Sequence, residues 1–157
     1  MKFSSTLFVT GIFSVIGLAS ASAIGTRQSC PQASRFGDLT ISPTNTAFNG
    51  GDSITVNVDL TCAINHFGIV PSYLDYTIEV PASSNNGHEP PILLARRNYV
   101  SGSTSDMFTT QIPYGYYFAG AVNTVVLTNT YAINGTNGDK VYVQGGVSTG
   151  ITINPSV

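Results

Sequence analysis

The stretch Asp52-Ser-Ile-Thr-Val-Asn-Val-Asp-Leu-Thr-Cys62 constrains the fold more than any other. Ile54, Val56, Val58, Leu60 and Cys62 alternate with Ser53, Thr55, Asn57, Asp59 and Thr61. A period of two residues puts the first set on one face of an extended strand and the second on the other, so this is a half-buried strand. A one-residue slip would turn the whole apolar set to solvent, and the register is therefore strongly specified. The strand is expected to run to Cys62, one of only two cysteines, and so to end in a covalent anchor.

The N-terminus carries Lys2, an apolar run from about Leu7 to Leu18, and small residues ending Ala21-Ser22-Ala23. That order predicts a secretory signal peptide over residues 1–23 and a single mature domain over 24–157, beginning at Ile24. The apolar run is too short for the roughly 20 residues of a membrane span. The C-terminal Ile151-Thr-Ile-Asn-Pro-Ser-Val157 has no hydrophobic tail to exchange for a glycolipid, so a soluble product with no transmembrane segment in the mature chain is expected.

Secretion exposes Cys30 and Cys62 to an oxidising route, and pairing the two in one disulfide is the economical reading. Without residues 1–23 the chain loses Lys2, leaving 5 of the 6 Lys and Arg against 8 Asp and Glu, a net charge of −3. Nucleic acids and anionic membranes require clustered cations, and Arg96-Arg97 is the sole basic pair, so neither partner is expected. A monomer is expected.

Further strands are expected at Leu39–Ser42, Leu74–Val80, Ile92–Val100, Asp106–Ile112, Asn123–Tyr131, Lys140–Gln144 and Ile151–Ile153; Leu74–Val80 alternates clearly, whereas the apolar run of Ile92–Val100 leaves its facing undecided. Prolines or glycine-rich turns separate them, and Asn134-Gly-Thr-Asn-Gly-Asp139 has the chemistry of a hairpin turn. Gly145-Gly146 reads as a bulge or bend. About seven or eight short strands without a helical period imply an all-β fold. Two antiparallel sheets, packed as an immunoglobulin-like sandwich, would cover each other's apolar faces.

Catalytic patterns are poorly supported. Gly146-Val-Ser148-Thr-Gly150 matches a nucleophile-elbow motif, but no helix and no following acid and histidine fit into the seven residues beyond it. His66 and His88, with Glu89 and Asp59 as notional partners, lack metal-ligand spacing, and no metal or cofactor is assigned. A copper polysaccharide oxygenase would need an N-terminal histidine where Ile24 is expected. Asp75 and Glu79 share a strand face but lie about 13 Å apart. Glycosidase carboxyls sit about 5–9.5 Å apart, so Asp59 would have to approach one of the two from another strand.

Tyr114-Gly-Tyr-Tyr-Phe118 leaves two readings open. Tyr114, Tyr116 and Tyr117 could form a stacking platform for glycan or protein, or Tyr116 and Phe118 could belong to the core of a bend. Asn134-Gly-Thr136 is the one N-glycosylation sequon, placed in the expected hairpin turn.

The short Ile-Ser-Pro strand, the Gly-Gly-Asp-Ser-Ile-Thr-Val lead-in, the Tyr-Thr-Ile-Glu-Val strand and the Phe-Thr-Thr-Gln-Ile-Pro segment together resemble the immunoglobulin-like domain of secreted fungal cell-wall glucan-synthesis (KNH-like) proteins, over Leu39 to Ile153. The resemblance implies a non-catalytic extracellular or cell-wall-associated domain that binds or organises wall polysaccharide. A secreted protein-interaction module or effector with a protein partner is the alternative, and a carboxylate-based hydrolase a third.

Overall fold

A computed structural model describes residues 29–44, 46–85 and 89–156. The signal peptide expected over residues 1–23 and His88 lie outside the described residues. Eight strands form two sheets. β1 (Asp38–Ser42), β3 (Ser53–Asp59) and β6 (Ser105–Gln111) make a three-stranded antiparallel sheet with β3 in the centre. The second sheet runs β2 (Ala47–Phe48), β8 (Lys140–Ile153), β7 (Asn123–Asn134), β4 (Pro71–Glu79) and β5 (Ile92–Asn98). Its pairs are antiparallel except β2 with β8, where Ala47 and Phe48 lie parallel to Thr152 and Ile153. The expectation of a wholly antiparallel fold is corrected there: Phe48 is buried against the end of β8, and a two-residue parallel contact suffices to seat it.

The two sheets share one core. Ile54, Val56 and Val58 from β3 meet Leu74, Tyr76 and Ile78 from β4 and Val125 and Leu127 from β7, all essentially without solvent contact. Ser53, Asn57 and Asp59 face outward, as the alternation requires. Beyond Asp59 the chain departs from expectation. β3 stops there, and Cys62 lies on a short helix, α1 (Thr61–Asn65). The Asp59 carboxylate accepts a hydrogen bond from the Thr61 N–H at 2.8 Å and turns the backbone out of the sheet. Leu60 and Cys62 remain buried on the coil of the helix. Cys62 is bonded to Cys30, with the Cα atoms 5.5 Å apart, which ties the segment before β1 to α1.

Two more local features differ from expectation. Gly145 and Gly146 continue the ladder of β8 opposite Asn129 and Thr128, with no bulge. Gly145 is small because the ring of Phe36 occupies the space a side chain would need. A bulge falls instead on β5, where Tyr76 faces Ala95 while Thr77 faces Leu93 and Leu94 is the extra residue, and a second irregularity lies at Ser72 of β4 against β7. The bulge on β5 is why the apolar run Ile92–Leu94 has no single facing.

One polar cluster lies between the sheets. Asp106 on β6 accepts hydrogen bonds from the Tyr76 hydroxyl at 2.9 Å and from Arg97 Nε at 2.7 Å, joining β6 to β4 and β5 across the sandwich. Arg97 also lies 5.0 Å above the ring of Phe108, which packs edge-on against Tyr76. Burial first, and then the Asp106 charge, push the Tyr76 hydroxyl well above its ordinary pKa. Among the described residues no helix is long and apolar enough to cross a membrane.

Candidate functional site

The register places one set of strand ends together. β3 and β7 start, β6 and β8 finish, β4 finishes and β5 starts at the same end of the sandwich. The aromatic loop 113–118 follows β6 at this end. Its backbone is irregular and has no two-residue period, so each ring must be placed by its own contacts.

Tyr114 and Tyr116 are almost wholly exposed, at 88% and 89%, and Phe118 is 57% exposed. Tyr117 is buried, its hydroxyl donating to the Pro113 carbonyl at 3.0 Å, and burial raises its pKa. The sequence readings are corrected on both sides. Tyr117 packs into the core, so it is no part of an exposed platform, whereas Tyr116 and Phe118 stand outside it.

The loop that carries the exposed rings is held in place. Tyr114 lies over the backbone of Gly50 and Gly51, where an added side chain would collide with its ring. Gly51 has φ +91°, a conformation glycine adopts without strain, and its N–H donates to the Ile112 carbonyl at 2.7 Å. From the other side Ser156 brackets the loop: its hydroxyl donates to the Gly115 carbonyl at 2.7 Å and accepts from the Tyr117 N–H at 3.0 Å. The Ser156 N–H donates to the Tyr117 carbonyl at 2.9 Å. Asn154 completes the bracket by donating to the Asn49 side chain at 2.9 Å.

Two clefts flank this loop. One, of about 360 Å³, runs between Tyr114 and the Asn154–Ser156 segment. The other, of about 380 Å³, is walled by Ile78, Val80, Pro90, Ile92, Tyr116, Tyr117 and Phe118, with Glu79 and Glu89 among its lining residues. Both volumes fall in the range of about 300–1,000 Å³ common for small-ligand sites. Asn123, at the first position of β7, forms part of the wall of the larger cleft. It is 4% exposed, and its Nδ2 has no hydrogen-bond partner among the described residues. An unpaired buried amide donor costs about 1–3 kcal/mol, which is the usual sign of a missing acceptor. Asn123 was not singled out from sequence. The signal was available: it occupies an inward position in the series Asn123, Val125, Leu127.

The remaining residues singled out from sequence do not converge. Asp75 is held bidentately by Arg96, at 2.7 and 3.0 Å, on the outer face of the five-stranded sheet. One oxygen of Glu79 accepts from Thr77 at 2.6 Å. Asp59 faces outward from the other sheet, which turns it away from both carboxylates. Ser148 lies in the middle of the regular β7–β8 ladder opposite Val126, with neither the sharp turn nor the helix of a nucleophile elbow. His66 is exposed after α1, and Asn134 is exposed at the end of β7. Among the described residues no three His, Cys, Asp or Glu side chains group as metal ligands.

No family model matches the chain, and a search of curated proteins likewise finds no match.

Proposed function

We propose that this protein is a secreted, non-catalytic sandwich of immunoglobulin-like type that binds cell-wall or extracellular polysaccharide through the aromatic end. One observation carries the reading: Tyr114, Tyr116 and Phe118 are exposed on a loop fixed from both sides. A fixed loop that exposes three aromatic rings to water has little reason to do so unless the rings meet a partner. Pyranose rings present apolar C–H faces to such rings, and tyrosine hydroxyls add hydrogen bonds at their edges. The separation of Asp59, Asp75 and Glu79 gives no support to a carboxylate hydrolase. The resemblance to KNH-like wall proteins points the same way as the exposed rings.

A protein partner is the second reading. It draws on exposed apolar residues at the far end, where Ile133 and Val141 face each other across the β7–β8 hairpin and Tyr142 lies beside them. The deciding experiment is retention of the purified mature protein on insoluble β-glucan, chitin and cellulose, beside a Tyr114→Ala/Tyr116→Ala variant of unchanged melting temperature. Both rings are exposed, so the variant is expected to fold and to lose retention. Failure of the native protein to be retained on any of the three overturns the glycan reading and favours the protein partner.

A further inference from the structure

We infer that the cleft beside Tyr116 is a subsite for an N-acetylated hexosamine, with the acetamido group seated against Asn123; this rests on the glycan reading above. Four features of the cleft limit what it can take. Its walls are mostly apolar, formed by Ile78, Val80, Ile92 and Phe118. Among the described residues its lining includes the acidic Glu79 and Glu89 and no Lys or Arg, which disfavours phosphorylated, sulfated or uronic-acid sugars. Asn123 Nδ2 is a buried donor without an acceptor among the described residues. Tyr116 offers an exposed ring at the mouth.

An acetamido group answers these features together. Its methyl is apolar and fits the wall. Its carbonyl oxygen is an acceptor for Asn123, and its N–H is a donor suited to a carboxylate such as that of Glu89. The sugar ring that carries it is left to stack on Tyr116. A plain glucose unit has a hydroxyl in place of this group and leaves the apolar wall unfilled. A glucosamine unit offers the carboxylates an ammonium but gives Asn123 no acceptor. A site that hydrogen-bonds one substituent discriminates against ligands lacking it, because its buried polar group is then left unpaired.

The test is calorimetric titration of the mature protein with three hexasaccharides: β-1,4-linked N-acetylglucosamine, its fully deacetylated counterpart, and β-1,4-linked glucose. The acetylated oligomer is expected to bind at least about tenfold more tightly than either of the others. Asn123→Ala is expected to bring that preference down to about threefold or less, while retention on insoluble glycan through the outer rings persists. The comparison among ligands uses native protein, so it stands even where the Asn123 variant folds poorly. Equal binding of the acetylated and glucose oligomers overturns the subsite and leaves the glycan platform intact. Tighter binding of the deacetylated oligomer also overturns it, and assigns the carboxylates to an ammonium. Absence of binding to all three, with retention on a solid glycan, overturns the subsite alone; loss of both defeats the glycan reading as well.

Discussion

Replacing Asp106 with alanine should destabilise the sandwich by about 1.5–4 kcal/mol. The figure has two parts. The Tyr76 residue has no solvent exposure, so its hydroxyl, which now donates to Asp106 at 2.9 Å, would be left with no acceptor. An orphaned buried hydroxyl costs about 1–3 kcal/mol. Arg97 would also lose its carboxylate, but its side chain is 38% exposed and can turn to water, so the screened pair adds only about 0.5–1 kcal/mol. For a domain of this size the sum corresponds to a fall in melting temperature of roughly 6–16 °C. A double-mutant cycle with Tyr76→Phe isolates the first part, since the phenylalanine has no hydroxyl to orphan. Asp106→Ala should then cost only about 1 kcal/mol in the Tyr76→Phe background, measured by urea denaturation with both variants at neutral pH. Equal cost in the two backgrounds would refute the assignment of Asp106 as the acceptor that makes burial of Tyr76 tolerable.

The same tyrosine sets an alkaline limit. Its folded pKa is raised above the ordinary 10.0, so the stability it contributes is complete below about pH 10 and is lost as pH rises beyond that. The urea midpoint should fall between about pH 10 and 11.5, and Tyr76→Phe should flatten that fall; an unchanged slope in the variant would count against it. Removing the Cys30–Cys62 bridge with Cys30→Ser/Cys62→Ser should lower stability by about 3–4 kcal/mol on the chain-entropy model, since the bridge spans 32 positions. Thermal denaturation of the double variant checks this, and an unchanged melting temperature would mean that packing of α1 alone holds the N-terminal segment.

The sheet was legible wherever one face is buried and the other is wet. Residues 53–59 and 74–79 alternate without interruption, and their inward sets are those that the core contains. Cys62 departs from the expected strand because both the two-residue period and a helical turn after Leu60 bury positions 60 and 62, and the Asp59 carboxylate, accepting from the Thr61 N–H, favours the turn. The β2–β8 contact joins residues more than a hundred positions apart through two residues, too few to leave a pattern. Within the aromatic loop, consecutive Tyr116, Tyr117 and Phe118 are chemically similar, and which ring turns inward depends on Pro113 and Ser156, contacts that no local rule supplies. The larger cleft was not legible for the same reason: Ile78, Ile92, Tyr116 and Asn123 belong to different strands and a loop.

The bracket around that loop also bears on when the site exists during folding. Residues 49–51, 113–118 and 154–156 are distant in sequence, and the Asn154 to Asn49 bond alone closes a span of 105 positions. Closing such spans is entropically unfavourable until the sheets between them have formed, and topologies dominated by distant pairing fold in roughly milliseconds to seconds. The exposed rings should therefore reach their fixed arrangement among the last events of folding. No excised fragment would keep that arrangement, and ligand capture by the aromatic end would report that the whole sandwich is assembled.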